Sequence, residues 1–241
     1  NAGIEKAQGE YVVFLDADDY LAEDTLEALA EKAEPETVVY ISKTETWYSR
    51  KVYQDNGEKL DEQNDTNGDE GEETKVDPEN PYEYLIINTK KWQNISTLGL
   101  LIPRRLLIEN PIRFCEELEY DSDIPVLMEV LAKAPKTVYQ EKGTYIKRKH
   151  NDPINLPSLL QKKDAAKKVA EAMKSYEMAS RFVDKENGRA FHYRFAMCLV
   201  TMIAPFMIES KVAERKETAK ELKQTLEILG KDGWAEIPLK H

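Results

Sequence analysis

The run Tyr11-Val-Val-Phe-Leu15 passes without alternation into Asp16, Asp18 and Asp19, and this junction constrains the fold more than any other stretch. Five strand-forming residues with no polar face read as a strand covered on both sides, as in parallel or mixed α/β sheets. Side chains at the end of such a strand emerge at the carboxyl edge of the sheet, where open α/β folds hold ligands. Carboxylates at alternating positions can point to one side and form a hard-oxygen set suited to Mg²⁺ or Mn²⁺. A divalent ion there would turn an acidic cleft into a diphosphate site. On local grounds ordinary turn chemistry explains the aspartates equally well, since Asp is common after strands and before helices. An EF-hand loop opening at Asp16 would place Glu27 at its twelfth position. Tyr20 and Leu21 then stand where an oxygen ligand and a glycine are needed, so that reading fails.

A β-α-β rhythm follows. Asp24 stands as a cap for a helix over Thr25–Lys32, with Leu26, Leu29 and Ala30 on one face, and Pro35 ends it. Thr37–Ser42 is the next strand. From about Asp55 to Asn80 the chain is acidic and almost without apolar residues, which reads as a flexible surface insertion rather than a calcium-binding tract. Order returns at Tyr82. A strand over Ser96–Ile102 precedes a short helix opened by Pro103. A helix over Ile124–Ala132 follows Asp123, a suitable cap, and two strands are expected at Thr137–Gln140 and Thr144–Lys147. A boundary near Leu156 leaves 157–241 as a helical region, with helices over 158–182, 187–209 and 212–229. The middle one is apolar enough to be the centre of a small bundle, and the outer two are amphipathic.

The net charge of −11 argues against non-specific nucleic-acid binding. Cys115 and Cys198 stand far apart, which gives neither a disulfide framework nor zinc spacing, so a reducing compartment is expected. The longest apolar run, Ala196–Ile208, is too short for a membrane span and holds Pro205. The opening residues look like a helix already under way, and the chain reads as a fragment whose upstream part is missing.

At this point the wording becomes specific. Asn1–Leu21, "NAGIEKAQGEYVVFLDADDYL", resembles the central signature of family 2 glycosyltransferases with the GT-A fold: Asn and Gly before a small helix, then "GEY", an apolar strand and a D-x-D-D cluster. By that resemblance Asp16 would lie against the nucleotide, Asp18 would ligate the metal on the donor diphosphate, and Asp19 would support the loop. "FCEELEYDSD" resembles the family's F-x-E-x-L-x-x-x-E-D stretch, matching at Phe114, Glu116, Leu118 and Asp123 and departing at Ser122, where Glu is frequent. The resemblance makes Asp123 the catalytic base and places Glu116 on the acceptor side. A helix start would hold the Asp123 pKa low. A simple capping role stands beside the catalytic one. "YIKRKHNDPINLPSLLQ" resembles the sequence that follows the catalytic region in teichoic-acid-type transferases, including those fused to CDP-glycerol glycerophosphotransferases. It implies Arg148 and His150 as contacts to the donor phosphates, against the plainer reading of charge on an edge strand. Trp47, Tyr48 and Trp92 could line an acceptor groove by stacking, with rim packing the blander account. His192, inside an apolar helix, reads as a satisfied structural histidine.

The fold class implied is α/β: part of a GT-A domain, Rossmann-like with a mixed sheet, over 1–156, then the helical region. In this family the base of the nucleotide is held by a strand-loop unit lying before such a signature. The function implied is metal-dependent, inverting transfer of a sugar from a nucleotide sugar, a UDP-sugar, to a hydroxyl of a glycan or polyol-phosphate polymer of the cell surface. The cofactor would be Mn²⁺ or Mg²⁺, and the location cytoplasmic, at the inner face of the membrane. Two other classes stay open. One is a non-catalytic GT-A remnant that binds polymer or a partner. The other is a structural role in which the C-terminal helices pair with another copy.

Overall fold

The computed structural model describes residues 1–41, 44–49, 96–150, 159, 164–183, 188, 191–192, 195, 202, 206–208 and 210–231, without the side chains of 44–49, 148–150 and, Lys223 apart, 221–231. In chain order the elements are α1 (Ala2–Lys6), β1 (Tyr11–Val13), β2 (Tyr20–Leu21), α2 (Thr25–Glu31), β3 (Thr37–Ile41), β4 (Thr44–Ser49), β5 (Leu100–Pro103), α3 (Arg104–Glu109), α4 (Asp123–Lys133), β6 (Lys136–Gln140), β7 (Tyr145–His150), α5 (Ala165–Ser180) and α6 (Val212–Lys231). The apolar helix expected over 187–209 and the acidic insertion lie largely or wholly outside the described residues. Those described between Gly188 and Ile208 are helical.

β3 and β6 pair in parallel from Thr37↔Lys136 to Ile41↔Gln140, and β4 and β7 pair in parallel from Thr44↔Tyr145 to Ser49↔His150. The chain takes three steps from Ile41 to Thr44 but five from Gln140 to Tyr145, so the second turn carries the slack between the two ladders. Gly143 makes that turn possible. Its φ is +93°, and a Cβ there would stand 3.2 Å from both Cα and Cγ2 of Thr25. β5 runs antiparallel to both β1 and β3, giving a mixed sheet in the order β1-β5-β3-β6. β2, β7 and β4 form a second sheet.

β1 is half-buried and, among the described residues, pairs on one side only, but both its faces are covered: Val12 and Phe14 pack on one apolar cluster and Tyr11 and Val13 on another, which is why the run shows no alternation. Beyond it Leu15 is 50% exposed. One expectation needs correction. In α2 the buried face is Thr25, Ala28 and Leu29, while Leu26 and Ala30 face solvent. The 140–144 turn decides this rotation. The Thr25 hydroxyl donates to the Thr144 carbonyl (3.1 Å) and accepts the Thr144 N–H (2.9 Å), while Gln140 Nε2 donates to the Ala28 carbonyl (2.5 Å).

The fully buried β3 packs with β5, α3 and α4, and the same apolar cluster continues into α5 through Ala165, Val169, Ala172, Met173, Tyr176 and Ala179. Phe191, Phe195 and Phe206 join it, and the Tyr176 ring stacks on Phe195 at 3.8 Å. His192 Nδ1 stands 2.5 Å from the Tyr176 hydroxyl, which satisfies it as a structural histidine. Among the described residues no helix is long and apolar enough to cross a membrane.

Candidate active site

The aspartate loop begins where β1 ends. Phe14 still bridges to Leu98, and then the Asp19 N–H closes a turn on the Asp16 carbonyl at 3.1 Å. Tyr145 at the head of β7 ties the turn down. Its ring is 1% exposed, its hydroxyl accepts the Asp16 N–H (3.2 Å), and it donates to Asp19 Oδ2 (2.8 Å). Burial pushes the phenol well above its usual range, so it remains a neutral donor. With Tyr145 and Asp19 so joined, Asp16 and Asp18 are left at the exposed surface of the loop. The Asp16 carboxyl is raised by partial desolvation and then by Asp19, with Asp18 and Asp123 adding to the rise and Lys147 opposing it.

Asp123 is the first residue of α4, with Ser122 in the capping position before it. Its carboxylate accepts hydrogen bonds from the Ser96 hydroxyl and from the N–H groups of Asp123 and Ile124, and Lys147 acts on it too. These all favour the anion. Desolvation outweighs them, and the pKa is raised. The expectation of a pKa held low by the helix start is therefore wrong: the first-turn amides are present, but the crowded wall costs the charge more than they return. Asp121, two residues before, is pushed up to about 6 by burial, then by Asp123 and Glu171.

The Asn1 side chain links the opening of the chain to this second loop. Its Oδ1 accepts the Phe114 N–H, and its Nδ2 donates to the Phe114 carbonyl and to Glu116 Oε1, each at 2.9 Å. Phe114 in turn meets Phe14 edge-on at 5.1 Å between ring centres. The signature and the stretch that leads to Asp123, joined across 113 positions at Asn1 and Phe114, are thus one packed unit.

Of the residues singled out from sequence, Asp18, Asp19 and Asp123 all come within electrostatic reach of Asp16. Glu116 is engaged with Asn1. Arg148 lies in register with Trp47, and His150 with Ser49, on the β7–β4 ladder, and the side chains of all these lie outside the described residues. Trp92 lies outside them altogether. Sequence reasoning missed Tyr145 and Lys147. They share one face of β7 by the two-residue period of a strand, in the very block from which Arg148 and His150 were drawn. It also missed Asn1, Asp121 and Glu171.

No group of three or more Asp, Glu, His or Cys side chains among the described residues is arranged to hold a metal. The donor set at the loop, exposed carboxylates and no imidazole or thiolate, instead suits Mg²⁺ or Mn²⁺ bound through one or two carboxylates with substrate phosphates completing the shell. A cavity of about 460 Å³ elsewhere, lined by Glu10, Pro35, Arg104 and Lys133 among others, contains none of these acids.

Residues 1–90 match the family model described as glycosyl transferase family 2. The fold is similar to crystal structures of S. aureus TarS 1–349. For the complex with UDP-GlcNAc the TM-score is 0.56 at 16% identity, covering 95% of this chain and 60% of that one. For the structure described as TarS 1–349 alone the TM-score is 0.54 at 18% identity, covering 89% and 55%. The chain therefore spans little more than half the length of these structures, and at such identity the likeness is one of fold. No curated protein sequence matches it. Over residues 1–90 the chain thus resembles family 2 glycosyltransferases, and the mixed sheet on which that sequence sits shares the GT-A fold of these structures.

Proposed function

We propose that this chain carries the donor-phosphate loop and the general base of a metal-dependent, inverting glycosyltransferase. One observation supports this most directly: the Asp16–Asp19 loop and the head of α4 lie close enough that Lys147 acts on both Asp16 and Asp123. A donor diphosphate at the first and an acceptor hydroxyl at the second would be brought side by side. Asp123 would take the acceptor hydroxyl proton as that oxygen bonds to the anomeric carbon, and the bond from that carbon to the diphosphate oxygen would break, its electron pair leaving with the nucleotide. A raised pKa makes Asp123 a stronger base than an ordinary aspartate. Mg²⁺ or Mn²⁺, held at Asp18, would offset charge on the diphosphate. The donor we propose is a UDP-sugar, in keeping with the UDP-GlcNAc bound by TarS. The acceptor we propose is a hydroxyl on a cell-surface polymer of the teichoic-acid kind, at the cytoplasmic face of the membrane.

The test pairs two variants, with UDP release from UDP-GlcNAc measured beside UDP affinity in Mn²⁺. Asp123→Asn should lower turnover about a hundred- to ten-thousand-fold while UDP still binds. Asp18→Ala should abolish Mn²⁺-dependent UDP affinity. Near-normal turnover by Asp123→Asn would remove the base role, and Mn²⁺-independent UDP binding would remove the metal role. UDP binding with no transfer in the parent protein would favour a binding module.

A further inference from the structure

We propose that Glu171, on helix α5, is a positioning residue for the loop that carries Asp123. The proposal rests on the reading of Asp123 as base. Glu171 Oε2 accepts two successive backbone N–H groups, from Glu119 at 2.7 Å and Tyr120 at 2.8 Å. Consecutive amides converging on one anion form a nest, a backbone shape that the anion itself stabilises. The next residue, Asp121, has φ +52°, the left-handed region that few non-glycine residues enter. The neighbouring contacts hold it there. Ser175, fully buried and one turn along α5 from Glu171, donates its hydroxyl to the Asp121 carbonyl at 2.7 Å. That fixes the peptide leaving the strained residue, two positions before Asp123.

The rest of the face of α5 serves the same loop. Lys167 pairs with Glu119, Lys174 pairs with Glu117, and the Tyr120 hydroxyl donates to Asp164 Oδ2 at 2.6 Å just before the helix. Lys167, Glu171 and Ser175 are spaced four apart, one stripe of a helix laid along the loop. The exposed lysine pairs are weak holds. Glu171 differs: its side chain is 12% exposed, and its charge is matched by two amides and by Lys167 at 3.6 Å. Removing it would leave two amides unpaired, and the turn would relax. A loop that relaxes shifts the base, and a shift of about 1 Å at a reacting group can cost about a hundredfold in rate. The donor loop is tied to Tyr145 on β7, so donor binding should be spared.

The experiment uses Glu171→Ala, Glu171→Gln and Ser175→Ala in the protein, with UDP-GlcNAc as donor and UDP affinity measured in Mn²⁺. For Glu171→Ala we expect kcat to fall about ten- to a hundredfold, with donor KM and UDP affinity within about twofold. Amide exchange at Glu119 and Tyr120 should quicken. Glu171→Gln, whose amide oxygen can accept the same two N–H groups, should restore most of the rate, and Ser175→Ala should lose only a few-fold. Parallel loss of kcat and UDP affinity would mean general damage and overturn the proposal, as would unchanged kcat or unchanged exchange. Should Glu171→Ala not fold, the split between rate and affinity in Ser175→Ala decides in the same way. If exchange quickens as expected but Asp123→Asn still transfers sugar, the base reading has failed rather than the geometry, and Glu171 loses its catalytic purpose with it.

Discussion

The two acidic turns of the site are held in opposite ways. The Asp16–Asp19 turn is tied to the buried Tyr145 phenol, and of its outer carboxylates Asp18 is exposed and Asp16 only partly desolvated. The turn leading to Asp123 is gripped by a whole helix face, and both its aspartates have raised pKa values because burial penalises their charge. Solvated carboxylates on a lightly tethered loop can gather a cation and phosphates and let them go. A desolvated carboxyl on a rigid support is suited to moving one proton at one place. On the proposed reading the first turn binds the donor and the second transfers the proton, and variants on the two sides should separate those properties.

The largest separation is expected from Asp18→Ala against Asp123→Asn, as set out above. Asp123→Asn should lose turnover and keep nucleotide affinity, whereas Asp18→Ala should lose Mn²⁺-dependent affinity and turnover with it, read by calorimetry and by turnover on the same preparations. If both variants lost nucleotide affinity together, the two turns would be a single binding element and the contrast would fall.

Tyr145→Phe should come next. It removes one hydroxyl, keeps the ring in the core, and leaves the Asp16 amide and the Asp19 carboxylate without that partner. A hydrogen bond to a charged group contributes about 1.5–3 kcal/mol, so UDP affinity should weaken about tenfold or more. The rate at saturating donor should move much less. An unaltered UDP affinity would show that the donor turn stands without its tether.

Turnover against pH sharpens the other side. As the proposed base Asp123 must be deprotonated to act, and its pKa in the free protein is raised, so the acid limb of kcat/KM should lie above the range of ordinary aspartates. A limb at the ordinary value would return Asp123 to the role of a helix cap.

The sequence carried the two turns but not what holds them. "LDADD" and "EYDSD" are local patterns, and a strand end or a helix start places their side chains within a few residues. Tyr145 and Glu171 act across 126 and 51 positions, and nothing in their neighbourhoods marks them. Tyr145 looks like any aromatic in a strand, and Glu171 like any charge on an amphipathic helix. The α2 face failed for a related reason: Leu26 is the more hydrophobic candidate, but Gly143 lets the turn close on Thr25, and packing overrode the pattern. Asp123 could be singled out from its local pattern, but the sign of its pKa shift could not be foreseen, because helix amides are local and the desolvating wall is tertiary.

The smallest effect concerns stability rather than rate. Asp121 has a folded pKa of about 6 against an ordinary 3.8. Between those values the folded chain holds a proton that the unfolded chain has released, so stability falls as pH rises through that window and the full penalty remains above it. The shift corresponds to about 3 kcal/mol at most. Asp121 is only half-buried, so solvent screening brings this to about 1 kcal/mol. Asn tolerates the left-handed backbone and carries no charge. Asp121→Asn should therefore raise stability by about 1 kcal/mol at pH 8 in urea unfolding, and the gain should shrink toward pH 5 as the parent carboxyl takes up its proton. A gain of the same size at both pH values would assign the effect to packing. No gain at either would mean that the Glu171 and Asp123 charges do not reach Asp121, and the second turn would be less desolvated than its contrast with the first requires.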